Sequence, residues 1–155
     1  MEIHVRAPLF DRLTDLNPHP RSAVEPRPLR TLDRQGLRES VRRELERLLN
    51  TRSSLSVDRL VQREILTVLE YGIPDLSAYS AGEPEDQKLL ATVVARAVAA
   101  FEPRLRNVQV VFERLDTTGR LAEIRIEGRL GLDEVSEPIA FPTLLSVKSG
   151  EAQVA

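Results

Sequence analysis

Residues 93–105 read VVARAVAAFEPRL and join an apolar helix pattern to a strand pattern. Pro103 has no backbone N–H, and in a continuing helix its ring would clash with the carbonyl of Ala99. The helix is therefore expected to end at about Glu102. The carboxylate of Glu102 and the guanidinium of Arg104 then lie on either side of a proline whose φ varies little. Both side chains are therefore expected to project from the backbone in restricted directions.

This acid-proline-base triplet has two interpretations. In the first, Glu102 and Arg104 form a local ion pair, which contributes only ~0–1 kcal/mol at a protein surface. In the second, the proline presents both charges to another molecule. A further Glu-Pro-Arg at residues 25–27, in a stretch without periodicity, shows that the triplet also arises by chance. The surrounding sequence must distinguish the two.

Helical patterns fill the chain before the triplet. Apolar residues recur at spacings of three and four over about 33–50, which predicts an amphipathic helix. A second helix is predicted over about 57–70, ending at Tyr71-Gly72-Ile73-Pro74. The third runs from about Pro84 to Glu102 and is nearly uncharged beyond Leu89, which predicts the most buried helix.

After the triplet the apolar period changes to two. Two alternating runs, about 108–113 and 124–130, flank the turn at 116–119 and predict a hairpin. A third strand over about 139–147 contains Pro142, which indicates an edge or a bulge, and residues 151–154 add a short fourth strand. The predicted fold class is α+β, with about three helices on one face of a small antiparallel sheet of three to four strands.

The N-terminal region differs in composition from the rest. Residues 1–32 hold five of the ten prolines and show no charged or apolar face, which predicts a Pro-rich extended arm. Residues 33–155 are expected to form a single α+β domain. The apolar segment 9–13 is too short to fold alone, and it can dock on the domain or on a neighbour.

Composition narrows the function classes. The 22 Lys plus Arg residues against 24 Asp plus Glu give a formal charge of -2, which does not indicate binding to nucleic acid or anionic lipid. There is no cysteine, no apolar stretch of ~18 residues and no leader pattern. The sequence predicts a soluble cytoplasmic protein, without membrane insertion, whose partners are proteins.

Most catalytic motifs are absent. The chain has no Cys nucleophile, no Gly-x-Ser-x-Gly, no phosphate-binding glycine loop and no metal-ligand cluster, so we expect no cofactor. The alternative is a lysozyme-like peptidoglycan hydrolase that uses Glu102 and a nearby carboxylate, Asp75 or Glu70, ~5–10 Å apart. Arg104 argues against it, because a nearby cation lowers the pKa of an acid whereas a general acid needs a raised pKa.

Four motifs in order resemble one family. They are Leu9-Phe10-Asp11-Arg12-Leu13, then ESVRRELERLLNTR at 39–52, then YGIPDL at 71–76, and finally FEPRL at 101–105. Together they resemble TssE, the small baseplate wedge subunit of type VI secretion systems. That family is similar to the wedge proteins of contractile phage tails, whose older label is "lysozyme-like". The resemblance covers about residues 9–154.

The resemblance implies a structural role without enzymatic activity. It implies that Glu102, Pro103 and Arg104 contact the larger wedge subunits TssF and TssG, with TssK a further candidate partner. Arg42, Arg43 and Arg52, which lie in the second motif, are also expected to contact partners. The strands resemble the handshake domain of contractile sheath proteins, which implies that a sheet edge helps to initiate sheath assembly in a cytoplasmic, membrane-docked baseplate. The Pro-rich tract 18–28 matches none of these motifs.

Overall fold

The computed structural model describes residues 5–13, 31–132 and 135–155. The chain forms two compact units, residues 1–41 and 42–155, with the boundary inside a helix. The predicted division into an arm, 1–32, and a wedge domain, 33–155, stays a prediction. The Pro-rich tract 18–28 and both histidines lie outside the described residues.

The first unit has a short two-stranded sheet and a short helix. Strand β1 (Val5–Arg6) pairs antiparallel with β2 (Thr31–Leu32), and helix α1 (Leu9–Leu13) lies between them in the chain. The carboxylate of Asp11 is buried and accepts a hydrogen bond from Ser40 Oγ, while Leu9 is exposed. The apolar segment of the sequence thus forms a helix that turns a polar residue inward.

The second unit contains most of the helical residues. Helix α2 (Arg34–Leu49) enters it from the first unit, and helix α3 (Val57–Gln62), a 3₁₀ turn (Val68–Glu70) and helix α4 (Pro84–Phe101) follow. Helix α4 has Pro84 in its first turn, as predicted, and acidic residues beside the positive end of its dipole. Its buried face consists of Leu90, Val93, Val94, Ala97 and Val98.

The predicted helix over 57–70 is wrong beyond Gln62. Helix α3 ends at Arg63, whose N–H still donates to Arg59 O but whose own backbone is extended. The 3₁₀ turn is capped by Thr67. The Thr67 hydroxyl accepts a hydrogen bond from Leu69 N, and the Glu70 carboxylate accepts one from Thr67 N. This reciprocal capping stabilises a new turn, which the apolar spacing alone does not distinguish from a continuing helix.

The sheet contains four antiparallel strands in sequential order. They are β3 (Leu105–Leu115), β4 (Leu121–Leu132), β5 (Val135–Ser146) and β6 (Ala152–Val154). The predicted hairpin is present, and Asp116 N donates to Leu121 O across its turn. The α+β class with an antiparallel sheet is confirmed.

The two faces of the sheet differ as the alternating pattern predicts. Ile124 and Ile126 on β4 are buried, as is Phe141 on β5. On the opposite face Arg125 donates to Glu113 at 2.5 Å and to Glu127 at 2.7 Å. The helices' apolar residues and the buried face of the sheet together provide the core of this unit.

Strand β5 is an edge strand along part of its length. It pairs with β6 only at residues 143–145, and Ala155 N donates to Pro142 O just beyond. The backbone polar groups of Pro142, and by alternation those of Pro138, therefore point away from β4. The missing proline donors cost no bond in the β4–β5 ladder, which confirms the predicted edge position.

Candidate partner-binding site

The predicted triplet forms a tight turn between α4 and β3, here called the EPR turn (Glu102–Arg104). Glu102 N donates to Val98 O at 2.8 Å, which completes the helix, and Glu102 O accepts from Leu105 N at 3.0 Å, which closes a four-residue turn. Pro103 occupies the second position of that turn, where its φ is favourable. Gly131 N donates to Arg104 O at 2.9 Å, so the β3–β4 ladder begins at the turn itself.

Glu102 and Arg104 form a two-pronged ion pair. Arg104 Nε donates to Oε1 at 2.7 Å and Nη2 donates to Oε2 at 2.5 Å, while the backbone N–H of Arg104 lies 3.2 Å from Oε1. The Glu102 side chain is 3% exposed and that of Arg104 is 21% exposed. The pair is local, as the first interpretation of the sequence requires, but its acid is buried rather than solvated.

Burial changes the energetics of this pair. A surface pair contributes little, whereas removing one partner of a buried pair leaves an uncompensated charge, at a cost of ~3–5 kcal/mol. About a fifth of the Arg104 side chain remains exposed to water. We therefore expect the loss of stability on removing Arg104 to lie in the lower part of that range or slightly below it. The pair's main structural effect is to hold the EPR turn in one shape.

An aromatic pair lies beside the EPR turn. The rings of Tyr71 and Phe101 meet edge to face, with centroids 5.2 Å apart. Burial raises the pKa of the Tyr71 hydroxyl, and the negative charges of Glu44 and Glu102 raise it further. Sequence reasoning did not single out Tyr71 as a site residue, and its signal was its place in the YGIPDL motif.

Two of the other predicted partner residues make contacts within the chain. Arg42 Nη1 donates to Val154 O at 2.9 Å and to the Glu46 carboxylate at 3.1 Å. Arg52 donates to Pro74 O at 3.1 Å and to Ser149 O at 3.2 Å. Arg42, in the middle of α2, and Arg52, three residues after it, therefore connect this region to later segments of the chain.

The third, Arg43, is half-buried on α2. The proposed roles of Arg42, Arg43 and Arg52 in partner binding stay predictions.

The second and third sequence motifs lie against each other. Ile73 N donates to Thr51 O at 2.8 Å, and Ser53 N donates to Ile73 O at 2.9 Å, forming a short parallel bridge. Gly72, which immediately precedes Ile73, has φ +113, and a Cβ at this position would lie 2.3 Å from Thr51 O. Only glycine permits this approach without displacement, which explains its place in the motif.

The candidate catalytic carboxylates do not resemble a general acid and its partner. Hydrogen bonds from Thr67 lower the pKa of Glu70, and those from Ser77 lower the pKa of Asp75. Glu102 is bound by Arg104. A pocket of about 180 Å³ has a lining that includes none of these three acids; its residues are Ser77, Tyr79, Ser80, Thr118, Gly119, Arg120, Val147 and Lys148.

Within the described residues, no group of three or more His, Cys, Asp and Glu side chains is arranged to hold a metal ion. Across the same ranges, no helix combines the length and the apolar character that crossing a membrane requires.

Comparisons with known proteins identify the family. No curated protein and no solved structure gives a significant match. The family described as baseplate wedge protein gp25 matches residues 35–135, a range that contains the EPR turn and helices α3 and α4. This match confirms the family indicated by the ordered motifs. The chain belongs to the gp25 family of baseplate wedge proteins.

Proposed function

We propose that this protein is a non-enzymatic structural subunit of a type VI secretion baseplate, located in the cytoplasm, and that the EPR turn docks it onto the larger wedge subunits TssF and TssG. The observation that carries the proposal is the buried, two-pronged Glu102–Arg104 pair within the region that matches the wedge family. Three hydrogen bonds to one carboxylate leave the turn a single conformation.

The EPR turn is ordered before it binds, which favours it as a contact site. Binding orders side chains and loops at a free-energy cost, and a turn that is already ordered avoids much of it. Pro103 is exposed at the tip, and Arg104 is about one-fifth exposed. A partner therefore meets a rigid tip with a guanidinium beside it, while the buried Glu102 acts from behind by orienting that guanidinium.

The test is co-purification of tagged variants with TssF and TssG. We expect Arg104→Ala to lose the wedge subunits, and also to lose ~2–3 kcal/mol of stability because Glu102 remains buried without its cation. Pro103→Asp separates the two effects, since an exposed turn residue changes the contact surface and leaves the pair intact. It should lose only the ~0.4–1 kcal/mol that a compatible proline contributes by restricting the unfolded chain, less than Arg104→Ala loses, and it should still lose the wedge subunits.

Arg125→Ala is the matched control. Arg125 also pairs with acids, Glu113 and Glu127, but on the exposed face of the sheet. We expect this variant to bind TssF and TssG as the wild type does. Wild-type recovery of wedge subunits by folded Pro103→Asp and Arg104→Ala proteins would contradict the proposed docking role.

We further propose that the sheath begins on the β3 edge of the sheet. Strand addition requires outward N–H and C=O groups in a row. The β5 edge lacks two of these donors, at Pro138 and Pro142, and β6 covers only three residues of it. Strand β3 forms the other edge and contains no proline, and it pairs regularly with β4 from Gln109 to Phe112, between two register shifts, which favours this stretch as the template.

A further inference from the structure

The pocket of about 180 Å³ lies where three loops of the 42–155 unit meet. Its lining comes from 77–80, 118–120 and 147–148, and we call it the three-loop pocket. Sites for drug-sized ligands measure ~300–1,000 Å³, whereas a single water needs only ~10–15 Å³. The three-loop pocket is therefore large enough for a small polar group and too small for a nucleotide or a sugar chain.

Backbone hydrogen bonds hold the three loops together. Ala81 N donates to Gly119 O at 3.2 Å, and Val147 N donates to Arg120 O at 2.9 Å. Gly119 has φ +66, and a Cβ at this position would lie 3.0 Å from Gly82 N. Glycine therefore permits both this backbone conformation and the close approach of the first two loops. The pocket is part of an ordered framework rather than a gap between independent loops.

Two cationic residues line the pocket without a counter-charge. Arg120 and Lys148 are both exposed, and neither forms an ion pair within the ranges that the structure describes. The described part of the lining contains no Asp or Glu. A cleft lined by charges of one sign attracts ions of the opposite sign. The lining thus favours an anion.

Two acids close to the pocket in the chain are already used by backbone donors. Asp116 Oδ1 accepts a hydrogen bond from Arg120 N at 2.8 Å, and Asp86 Oδ2 accepts one from Ser80 N at 2.8 Å. These carboxylates hold the loops in shape and do not pair with the Arg120 guanidinium or the Lys148 ammonium. Both cationic groups therefore remain available to a ligand.

Hydroxyl groups add neutral donors to the same lining. Ser80 Oγ accepts a hydrogen bond from Gly82 N at 3.2 Å, and in the described ranges its own proton is donated to no acceptor. The Tyr79 hydroxyl likewise has no acceptor among the described residues. A guanidinium, an ammonium and hydroxyl donors around one small space are the groups that bind oxyanions.

We propose that the three-loop pocket binds a single phosphate-like dianion, either inorganic phosphate or the phosphoryl group of a small phosphomonoester. The two uncompensated cations match a phosphoryl group, which carries about −1.5 to −2 charges at neutral pH, whereas a carboxylate supplies one. The size of the pocket limits the ligand to one such group. This site lies outside the EPR turn, and the inference does not depend on the proposed function.

The test is calorimetric titration of the full chain with sodium phosphate, with ionic strength held constant by sodium chloride because salt screens exposed charges. We expect saturable binding of one phosphate per chain. Arg120→Gln with Lys148→Gln removes two charge-assisted contacts and should weaken binding at least about tenfold. Lys148→Gln alone should bind with intermediate affinity. Circular dichroism checks that both variants are folded.

Arg59→Gln with Arg106→Gln is the matched control. Both arginines are exposed, lie outside the pocket lining and form no ion pair in the described part of the chain, so this variant loses the same net charge. We expect it to bind phosphate as the wild type does. An equal loss of affinity in the two double variants would show a general charge effect and overturn the inference.

Two other ligands test the chemistry of the site. Acetate should bind much more weakly than phosphate, and equal affinities would assign the pocket to a carboxylate and overturn the dianion. Glycerol phosphate distinguishes the two sources, because tighter binding than inorganic phosphate supports a phosphomonoester and weaker binding supports the free ion. A wild-type protein that shows no saturable binding of either phosphate would also overturn the inference.

Discussion

Two buried carboxylates of this protein, Glu70 and Glu102, are each held by an arginine and by backbone N–H groups. In both cases the acid stabilises a local turn at the end of a helical segment. A carboxylate used in this way has its oxygens occupied by donors and an arginine beside it, which suits it to hold the turn in shape. Both therefore serve as supports for residues that face outward beside them.

Glu70 makes the stability of the segment 63–70 depend on pH. Its folded pKa is lowered from 4.5, chiefly by hydrogen bonds from Thr67 and also by Arg63. The stabilisation is therefore present above pH 4.5, the unfolded value, and is lost as the pH falls through the folded pKa. In urea unfolding, we expect Glu70→Gln to be less stable than the wild type at pH 7 and the difference to shrink below pH 4.5.

Glu123→Gln provides the control for this pH series. Glu123 lies on the exposed face of β4, 3.9 Å from Arg114, and caps no helix. Its substitution should change stability little at either pH. A Glu70→Gln deficit that stays constant from pH 7 to pH 3 would contradict the assignment to ionised Glu70.

The residue scale also shows where sequence reasoning ends. The position of the helix stop at Pro103 follows from covalent chemistry, so the site could be located from sequence. The burial of Glu102 could not, because it depends on α4 and β3 packing around the turn. Tyr71 was missed for the same reason, since only the fold brings it against Phe101.

Periodic patterns in the sequence correctly predicted the helices and strands that bury a continuous apolar face. They failed for the segment 63–70, which does not bury one. Helix α4 and strand β4 follow their patterns closely because their periodic apolar positions are buried, whereas Val108, Val110 and Phe112 of β3 are half-buried. The segment 63–70 has helical spacing, yet its apolar residues face solvent. Periodicity reports the polarity of the residues and not what covers them, so an exposed apolar cluster at helical spacing is read as part of the core.

The β3 edge yields a prediction for strand addition. Ala155 N donates to Pro142 O, so the backbone polar groups of Pro142 point away from β4, and those of its partner Arg125 point toward β3. Arg125 is opposite Val111 on β3, so Val111 bonds to β4. By alternation, the N–H and C=O of Val110 point toward the open edge. Val110→Pro thus removes an outward donor and leaves the β3–β4 ladder intact. We expect folded variant baseplates to seed few or no sheaths, counted by electron microscopy.

Ala140→Pro is the matched substitution on the other edge. Its N–H points outward between Pro138 and Pro142, where two donors are already missing, so we expect normal seeding. Loss of seeding in this variant, or normal seeding by Val110→Pro, would assign the template to a different edge.

At the scale of the 42–155 unit, the C-terminal strand is bound to the end of α2. Asn50 Nδ2 donates to Ala152 O at 2.7 Å, and Ala152 N donates to Asn50 Oδ1 at 2.9 Å, across 102 positions of sequence. Arg42 adds a bond to Val154 O. These long-range bonds close the unit, and no local pattern in the sequence could reveal them.

Asn50→Ala should loosen this closure. It removes two hydrogen bonds to Ala152, each with a net contribution of ~0.5–1.5 kcal/mol, so we expect a loss of about 1–3 kcal/mol in urea unfolding. Amide exchange at residues 152–154 should accelerate more than exchange in α4. Thr51→Ala removes only a local bond to Arg47 O and should leave that exchange unchanged. Equal amide exchange at residues 152–154 in both variants would contradict the role of the Asn50–Ala152 hydrogen bonds in holding this strand.

The prolines of β5 have a consequence for the direction of growth. A sheet that can be extended from both sides is able to continue without limit, since every added copy offers the next a fresh ladder. Pro138 and Pro142 withhold donors along one side, so copies of this chain cannot stack into an endless ribbon through that side. Strand addition to this chain is therefore favoured at the β3 edge, which contains no proline, over the β5 edge.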